Sequence, residues 1–144
     1  QQVLLNGENV TGLLRTEEVG NMASASSVNK DVRLKLVELQ RALAERENVV
    51  MDGRDIGTYV LPKANVKVYL TASSACRAKR RFDELTEKGE TCDLAAIEAD
   101  IIERDKRDME REFAPLRQAE DAIYVDSSDM TIDEVITAIT DLIH

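Results

Sequence analysis

The apolar run Val49-Val50-Met51 stops abruptly at Asp52-Gly53-Arg54-Asp55, and no other stretch constrains the fold as strongly. Such a run, ending in an acid, a glycine and an acid–base pair, reads as a buried parallel strand reaching its carboxyl end. Open α/β sheets bind ligands along that edge. Gly53 lets the backbone turn tightly or approach a ligand. Arg54 can grip a phosphate through two parallel hydrogen bonds. The carboxylates can hold a hydroxyl, an amine or a hydrated metal. A strand-to-loop turn with a surface ion pair is the plainer reading and stands beside it.

The flanking pattern supports an α/β chain. Val3-Leu4-Leu5, Asn6-Gly7 and Asn9 to Gly12 read as a small hairpin. Residues 13–29 are polar and small, which predicts a short helix and a loop. From Asp31, the residues Val32, Leu36, Leu39 and Leu43 recur at helical spacing, with Asn48 as the stop. Val66, Val68 and Leu70 alternate with Lys67 and Tyr69 in a second strand. Ser73-Ser74 caps a helix that places Ala75, Ala78, Phe82 and Leu85 on its apolar face and ends at Lys88-Gly89. Asp93 caps a long helix reaching about Glu112, broken by Ala114-Pro115. Ala122 to Val125 is a third strand. Thr131 and Glu134 form a capping box, with Met130 and Val135 as its staple, and the last helix is expected to bury Ile132, Val135, Ile136, Ile139 and Ile143. Strands alternating with helices imply a parallel sheet.

Charge and composition exclude several classes. The net charge is −9 over 144 residues, which argues against a protein whose main task is gripping nucleic acid or an anionic membrane. No run is long enough for a membrane-spanning helix. Cys76 and Cys92 have neither metal spacing nor a disulfide framework, so a reduced, cytoplasmic setting is expected. The single histidine, His144, is the last residue, so a Ser-His triad has no base. With no Trp, two Phe and three Tyr, the core must be aliphatic.

Two further clusters carry charge. The stripe Leu94, Ile97, Ile101 continues in register into Arg104, Asp108 and Arg111, so one helix face is apolar in its first half and charged in its second. A surface helix normally keeps charges off its buried face. The first half would then pack on the domain while the second lines a wet cleft, with Arg107 beside it. A solvated helix with alternating ion pairs from Glu103 to Glu112 explains the same residues. Arg77, Lys79, Arg80 and Arg81 form the densest basic run, able to hold a polyphosphate, or equally to pair on a solvated face with Asp83, Glu84 and Glu87. No aromatic residue interleaves with them to stack a base.

These residues resemble those of bacterial cytidylate kinases. Residues 49–58, VVMDGRDIGT, resemble that family's DGRD-x-GT signature, and Arg15 to Val19 its RTEEV segment. Val66 to Arg81 resembles the strand and basic helix before the lid. Glu103 to Pro115 resembles its ERDxRDxxRxxAP segment, and Val125 to Ser128 with the last helix matches too. The resemblance runs through essentially all 144 residues in the right order. It implies a P-loop nucleoside-monophosphate-kinase-like parallel sheet with flanking helices. Residues 1–47 would be part of a small CMP-binding insert, and residues 48–144 part of the core, with a lid at about 77–113. The implied activity is transfer of the γ-phosphoryl of ATP to CMP or dCMP. By the resemblance, Ser24 and Arg33 read the base, and Arg54, Arg104 and Arg111 hold the CMP phosphate. Asp55 and Asp108 lie against the ribose or orient those arginines, and Asp52 belongs to the same substrate site. Arg80, Arg104 and Arg107 would belong to the lid over the ATP phosphates.

One departure is large. The family opens with a P-loop, Gly-x-x-x-x-Gly-Lys-Ser/Thr, and none of the six glycines here begins one. The family's DSGxxYR segment is missing as well. With Gln1-Gln2 at its start, the chain reads as cut from something longer and beginning inside the insert. The expected fold therefore lacks the P-loop strand that the family places between the strand ending at Asp52 and the one ending near Leu70. It also lacks the hydroxyl that ligates Mg2+, and none of its own residues is expected to bind a metal. The first expectation is thus a kinase portion without turnover of its own. The others are a non-catalytic nucleotide- or anion-binding module, and a self-associating chain whose partner copy fills the sheet. The full-length family member is expected to be a monomer, with neither nucleic acid nor membrane as a partner.

Overall fold

The computed structural model describes residues 2–14, 16–26 and 29–143, apart from the side chains of Glu17, Asn21, Ser24 and Ala25. Arg15 and His144, and the Ser24 side chain, therefore lie outside the described residues. The chain forms two compact units, Gln1–Val49 and Val50–His144.

In the first unit, β1 (Leu4–Leu5) and β2 (Glu8–Asn9) pair antiparallel, Leu4 opposite Asn9. Asn6 and Gly7 both take positive φ, 52° and 87°, as a two-residue mirror-image turn between twisted strands requires. The return strand is shorter than the sequence suggests, because Thr11–Leu13 coils into a 3-10 turn. Helix α1 covers Glu17–Ser26 and α2 Lys30–Ala44. Asn29 caps α2, its side chain accepting from the backbone N–H groups of Asp31 and Val32. The helix ends at Ala44 rather than Asn48. Its stripe Val32, Leu36, Leu39 and Leu43 is exposed, and the buried residue is Val37.

In the second unit, β3 (Val68–Thr71) and β4 (Ile123–Asp126) form a two-stranded parallel sheet, Val68 opposite Ile123 and Thr71 opposite Asp126. A parallel pair needs a long crossover. Here it is α3 (Ser74–Glu87) followed by α4 (Leu94–Glu110). Ser73 caps α3 and Asp93 caps α4. The N–H groups of Gly89 and Glu90 close the end of α3 on the carbonyls of Thr86 and Leu85. Helix α5 (Ile132–Thr140) starts on the expected reciprocal box, Thr131 with Glu134.

Two expectations need correction. Val49-Val50-Met51 is not a strand: no described strand pairs with it, and Val50 is 95% exposed. A β-branched apolar run favours an extended chain, but a strand exists only where a neighbour answers its backbone groups. Residues Ile56–Val60 form a π-helical turn in which the N–H groups of Val60 and Leu61 reach back five residues to Asp55 and Ile56. Helix α5 has no buried residue; Ile132, Ile136 and Ile143 are exposed, and Val135 and Ile139 half-buried. The buried apolar residues of this unit are Val60 of the π-helical turn, Ala72 just past β3 and Ala78 of α3, all small aliphatic side chains.

Candidate anion site at the Asp52–Asp55 turn

The turn that follows Met51 delivers two side chains toward the charged half of α4. A Cβ on residue 53 would come within 2.9 Å of Ile56 Cγ1, so Gly53 lets this turn close against Ile56. Arg54 Nε donates to Asp108 Oδ2 at 2.8 Å across 54 residues of sequence. Asp55, 9% exposed, faces Arg111, whose Nη2 lies 3.6 Å from Asp55 Oδ2. Two arginines and two acids therefore alternate, one of each sign from the turn and one of each from the region of α4. Such a ladder holds guanidinium groups fixed before any ligand arrives, which lowers the ordering cost of gripping an anion.

The end of α4 is shaped to aim Arg111. The helix ends at Glu110, and Arg111 leaves it with extended backbone, φ −61° and ψ 139°. Arg111 Nε donates to the carbonyl of Ala114 at 2.6 Å, and the N–H of Leu116 to the carbonyl of Asp108 at 2.8 Å. Ala114 sits at φ +49°, a left-handed conformation that costs a non-glycine residue on the order of 1 kcal/mol or more. Phe113 sets its ring edge against Tyr59 of the π-helical turn, centroids 4.9 Å apart at 72°. That contact joins the two segments carrying Asp55 and Arg111.

A second ion pair stands beside the first. Arg77 of α3 forms a two-pronged pair with Asp105 of α4, Nη1 to Oδ1 at 3.0 Å and Nη2 to Oδ2. The hydrogen bond from Arg77 holds the Asp105 carboxyl below its ordinary value, and the nearby charges of Arg54 and Arg104 add to this. The bond to Asp105 likewise raises Arg77.

The structure thus brings together Arg54, Asp55, Asp108 and Arg111. Asp52 is exposed and forms no hydrogen bond or ion pair among the described residues. Arg104 and Arg107 are exposed on α4, and Arg107 makes a loose pair with Glu103 at 3.9 Å. Arg80 turns to the loop after β4, where its guanidinium donates to the Ser127 carbonyl. Arg33 is half-buried in the first turn of α2, in the first unit. The basic run 77–81 divides by partner: Lys79 and Arg81 pair locally with Asp83 and Glu84, as a solvated face should, while the half-buried Arg77 reaches Ala72 and Asp105 and the exposed Arg80 reaches the Ser127 carbonyl. Asp105, Tyr59 and Phe113 escaped the sequence reading of the site, which named Arg77 only within the basic run 77–81.

Among the described residues, no group of three or more His, Cys, Asp and Glu could hold a metal ion. The acids Asp55, Asp105 and Asp108 all face arginines, so these residues do not form a cation cage. No helix of the described residues is long and apolar enough to cross a membrane.

Known proteins carry the same sequence pattern. The chain is 52% identical over 144 residues to the cytidylate kinase of Caldicellulosiruptor saccharolyticus, covering all of this chain and 64% of that relative. It is 50% identical to the cytidylate kinase of Lactobacillus johnsonii, again over the whole chain and 63% of the relative. Against the Bacillus subtilis cytidylate kinase the identity is 45%, with 64% of that relative covered. The chain thus spans a little less than two thirds of the length of the curated relatives it matches. The family model described as cytidylate kinase matches residues 1–144 without leaving out either unit, and on that match the chain belongs to the cytidylate kinase family.

Proposed function

We propose that this chain supplies the monophosphate-binding arginines of an enzyme that transfers the γ-phosphoryl of ATP to CMP or dCMP. The carrying observation is the ladder Arg54–Asp108 and Asp55–Arg111. In the reaction, a phosphate oxygen of the monophosphate forms a bond to the γ-phosphorus as the bond to ADP breaks. Negative charge spreads over the transferred group, and fixed guanidinium groups stabilise it without covalent chemistry. On this reading Arg54 and Arg111 hold the accepting phosphate. Asp55 and Asp108 keep those arginines aimed, and Asp108 or Asp52 can meet the ribose. The exposed Arg104 and Arg107, with Arg80, would serve the ATP side, since an exposed guanidinium is available to a phosphate that arrives. Ser24 and Arg33 would read the base from residues 1–47, and residues 77–113 would act as the lid on the core of residues 48–144.

The 144 residues contain no Gly-x-x-x-x-Gly-Lys-Ser/Thr, so the chain alone is expected to bind CMP without turnover. ATP is the co-substrate. Mg2+ would bind to its phosphates, with its protein ligand expected outside these residues. Charge −9 fits small anions held by local arginines rather than nucleic acid, and reduced cysteines fit the cytoplasm.

A coupled assay with CMP and ATP, run beside calorimetry with CMP, tests this. The chain alone should give binding heat and no turnover. A chimera carrying the remaining third of the Caldicellulosiruptor saccharolyticus relative ahead of this chain should turn over. Robust turnover by the chain alone would refute its inactivity. Binding without turnover in the chimera would favour the second reading, a nucleotide-binding module without catalysis, which the absent phosphate cradle also supports.

A further inference from the structure

We infer that Arg77 and Asp105 are the positioning pair of the phosphate site: the α3 guanidinium sets the rotation of α4 and so aims Arg104 and Asp108. The inference rests on the kinase reading above and assigns roles to two residues which that reading leaves without one. Three nitrogens of Arg77 are engaged at once. Nη1 and Nη2 hold the two Asp105 oxygens, and Nε donates to the Ala72 carbonyl at 3.0 Å, just beyond β3. A planar fork held on three acceptors cannot turn, so it transmits the position of the sheet edge to α4. Asp105 follows Arg104 directly and lies one turn before Asp108. A rotation of α4 that broke the Asp105 pair would carry Arg104 and Asp108 with it, and Asp108 holds Arg54. The field of Arg54 and Arg104 at Asp105 is a separate sign that these groups form one cluster.

The same two helices provide an internal control. Ser74 Oγ donates to Glu98 Oε1 at 2.9 Å, joining α3 to α4 two turns before Asp105 and away from the arginines. Loss of this bond should loosen the helix pair without redirecting Arg104 or Asp108. A merely structural role for Arg77 predicts that breaking either tie has the same consequence.

The experiment compares CMP binding by calorimetry and thermal unfolding for the chain, Arg77→Lys, Asp105→Asn, the double variant and Ser74→Ala. Arg77→Lys keeps the charge and removes the fork. It should weaken CMP about tenfold, Asp105→Asn should do the same, and the double variant should be no worse than either, since the pair acts as one unit. Ser74→Ala should bind CMP within about twofold of the unaltered chain. Equal CMP losses in Arg77→Lys and Ser74→Ala, or no loss in a folded Arg77→Lys, would overturn the inference. If the unaltered chain gives no CMP heat, the functional reading fails instead. The arginine Nε–H resonances of Arg54 and Arg104 then decide: shifts in Arg77→Lys but not Ser74→Ala uphold the positioning role, and unchanged resonances end it.

Discussion

Around Asp55 and Ser127 the chain buries polar groups and satisfies them; along Val50 and Ile132 it leaves apolar groups in water. Ser127 is 4% exposed, its N–H and hydroxyl both donating to the Thr71 carbonyl and its own carbonyl held by Arg80. Ile132 is 79% exposed and Val50 still more so. Usually the apolar side closes first, because burying one such side chain contributes about 1.5–3 kcal/mol. Here the polar cluster closes from a few directional contacts between a turn, two helix segments and a sheet edge. Apolar burial accumulates with area, and a two-stranded sheet with three helices offers too little of it. On the proposed reading the first region meets an anion, whereas the second leaves apolar side chains such as Val50 and Ile132 in water.

The sharpest way to break this comparison is at Arg111. Arg111→Ala removes both the Asp55 partner and the bond that holds Ala114 in its left-handed turn. A charged hydrogen bond in a desolvated site contributes about 1.5–3 kcal/mol, so CMP affinity should fall roughly 10- to 100-fold by calorimetry. Lys106→Ala, on the exposed side of α4, should change it less than about threefold. Equal effects would mean that the charged face of α4 is a solvated surface.

A large effect on stability alone is expected at Ala78. It is fully buried on α3, so Ala78→Leu should cost about 1–3 kcal/mol by denaturant unfolding. The cost should appear with CMP affinity nearly intact if the site and the packing are separable.

Acid should act on the polar region more than on the apolar one. The folded Asp105 carboxyl lies below its ordinary 3.8, through the hydrogen bond from Arg77. Its contribution is complete above 3.8 and is lost as pH falls through the lowered folded value. The melting-temperature gap between the chain and Asp105→Asn should stay constant from about pH 5 to 8 and close in stronger acid. A gap that persists in strong acid would assign the loss to packing.

How much of this was legible depends on the range of the contact. The caps at Ser73, Asp93 and Thr131 and the end of α3 at Gly89 are local chemistry, and they could be read directly. Arg104 and Asp108 followed from helical spacing, but Arg111 lies past the helix end in extended backbone, and only the fold brings Asp108 to Arg54. Sequence spacing alone does not reveal that Arg77 and Arg80 reach across to Asp105 and Ser127 while Lys79 and Arg81 pair with acids on their own helix, because all four sit on one helix amid acids. The strand expected at 49–51 failed for the opposite reason. Its residues suit a strand, but pairing is a property of neighbours. Asn29 was missed as the cap of α2 although its chemistry is among the best for that place.

The smallest expected effect is the most discriminating for the apolar region. Val50→Asp places a charge where the valine is already almost wholly in water. In this chain it should shift stability by no more than about 0.5 kcal/mol. In the chimera with the relative's remaining third, the same aspartate tests whether added chain covers residues 49–51. A buried, unpaired charge costs several kcal/mol, so the chimera should lose about 3 kcal/mol or more if covered. Two equally small effects would mean that the segment stays in water in both proteins, and the apolar surface would then need a different occupant. A large loss in this chain alone would mean that Val50 is covered by other copies of the chain in solution, with light scattering then showing the valine form above the mass of a monomer and the aspartate form at it.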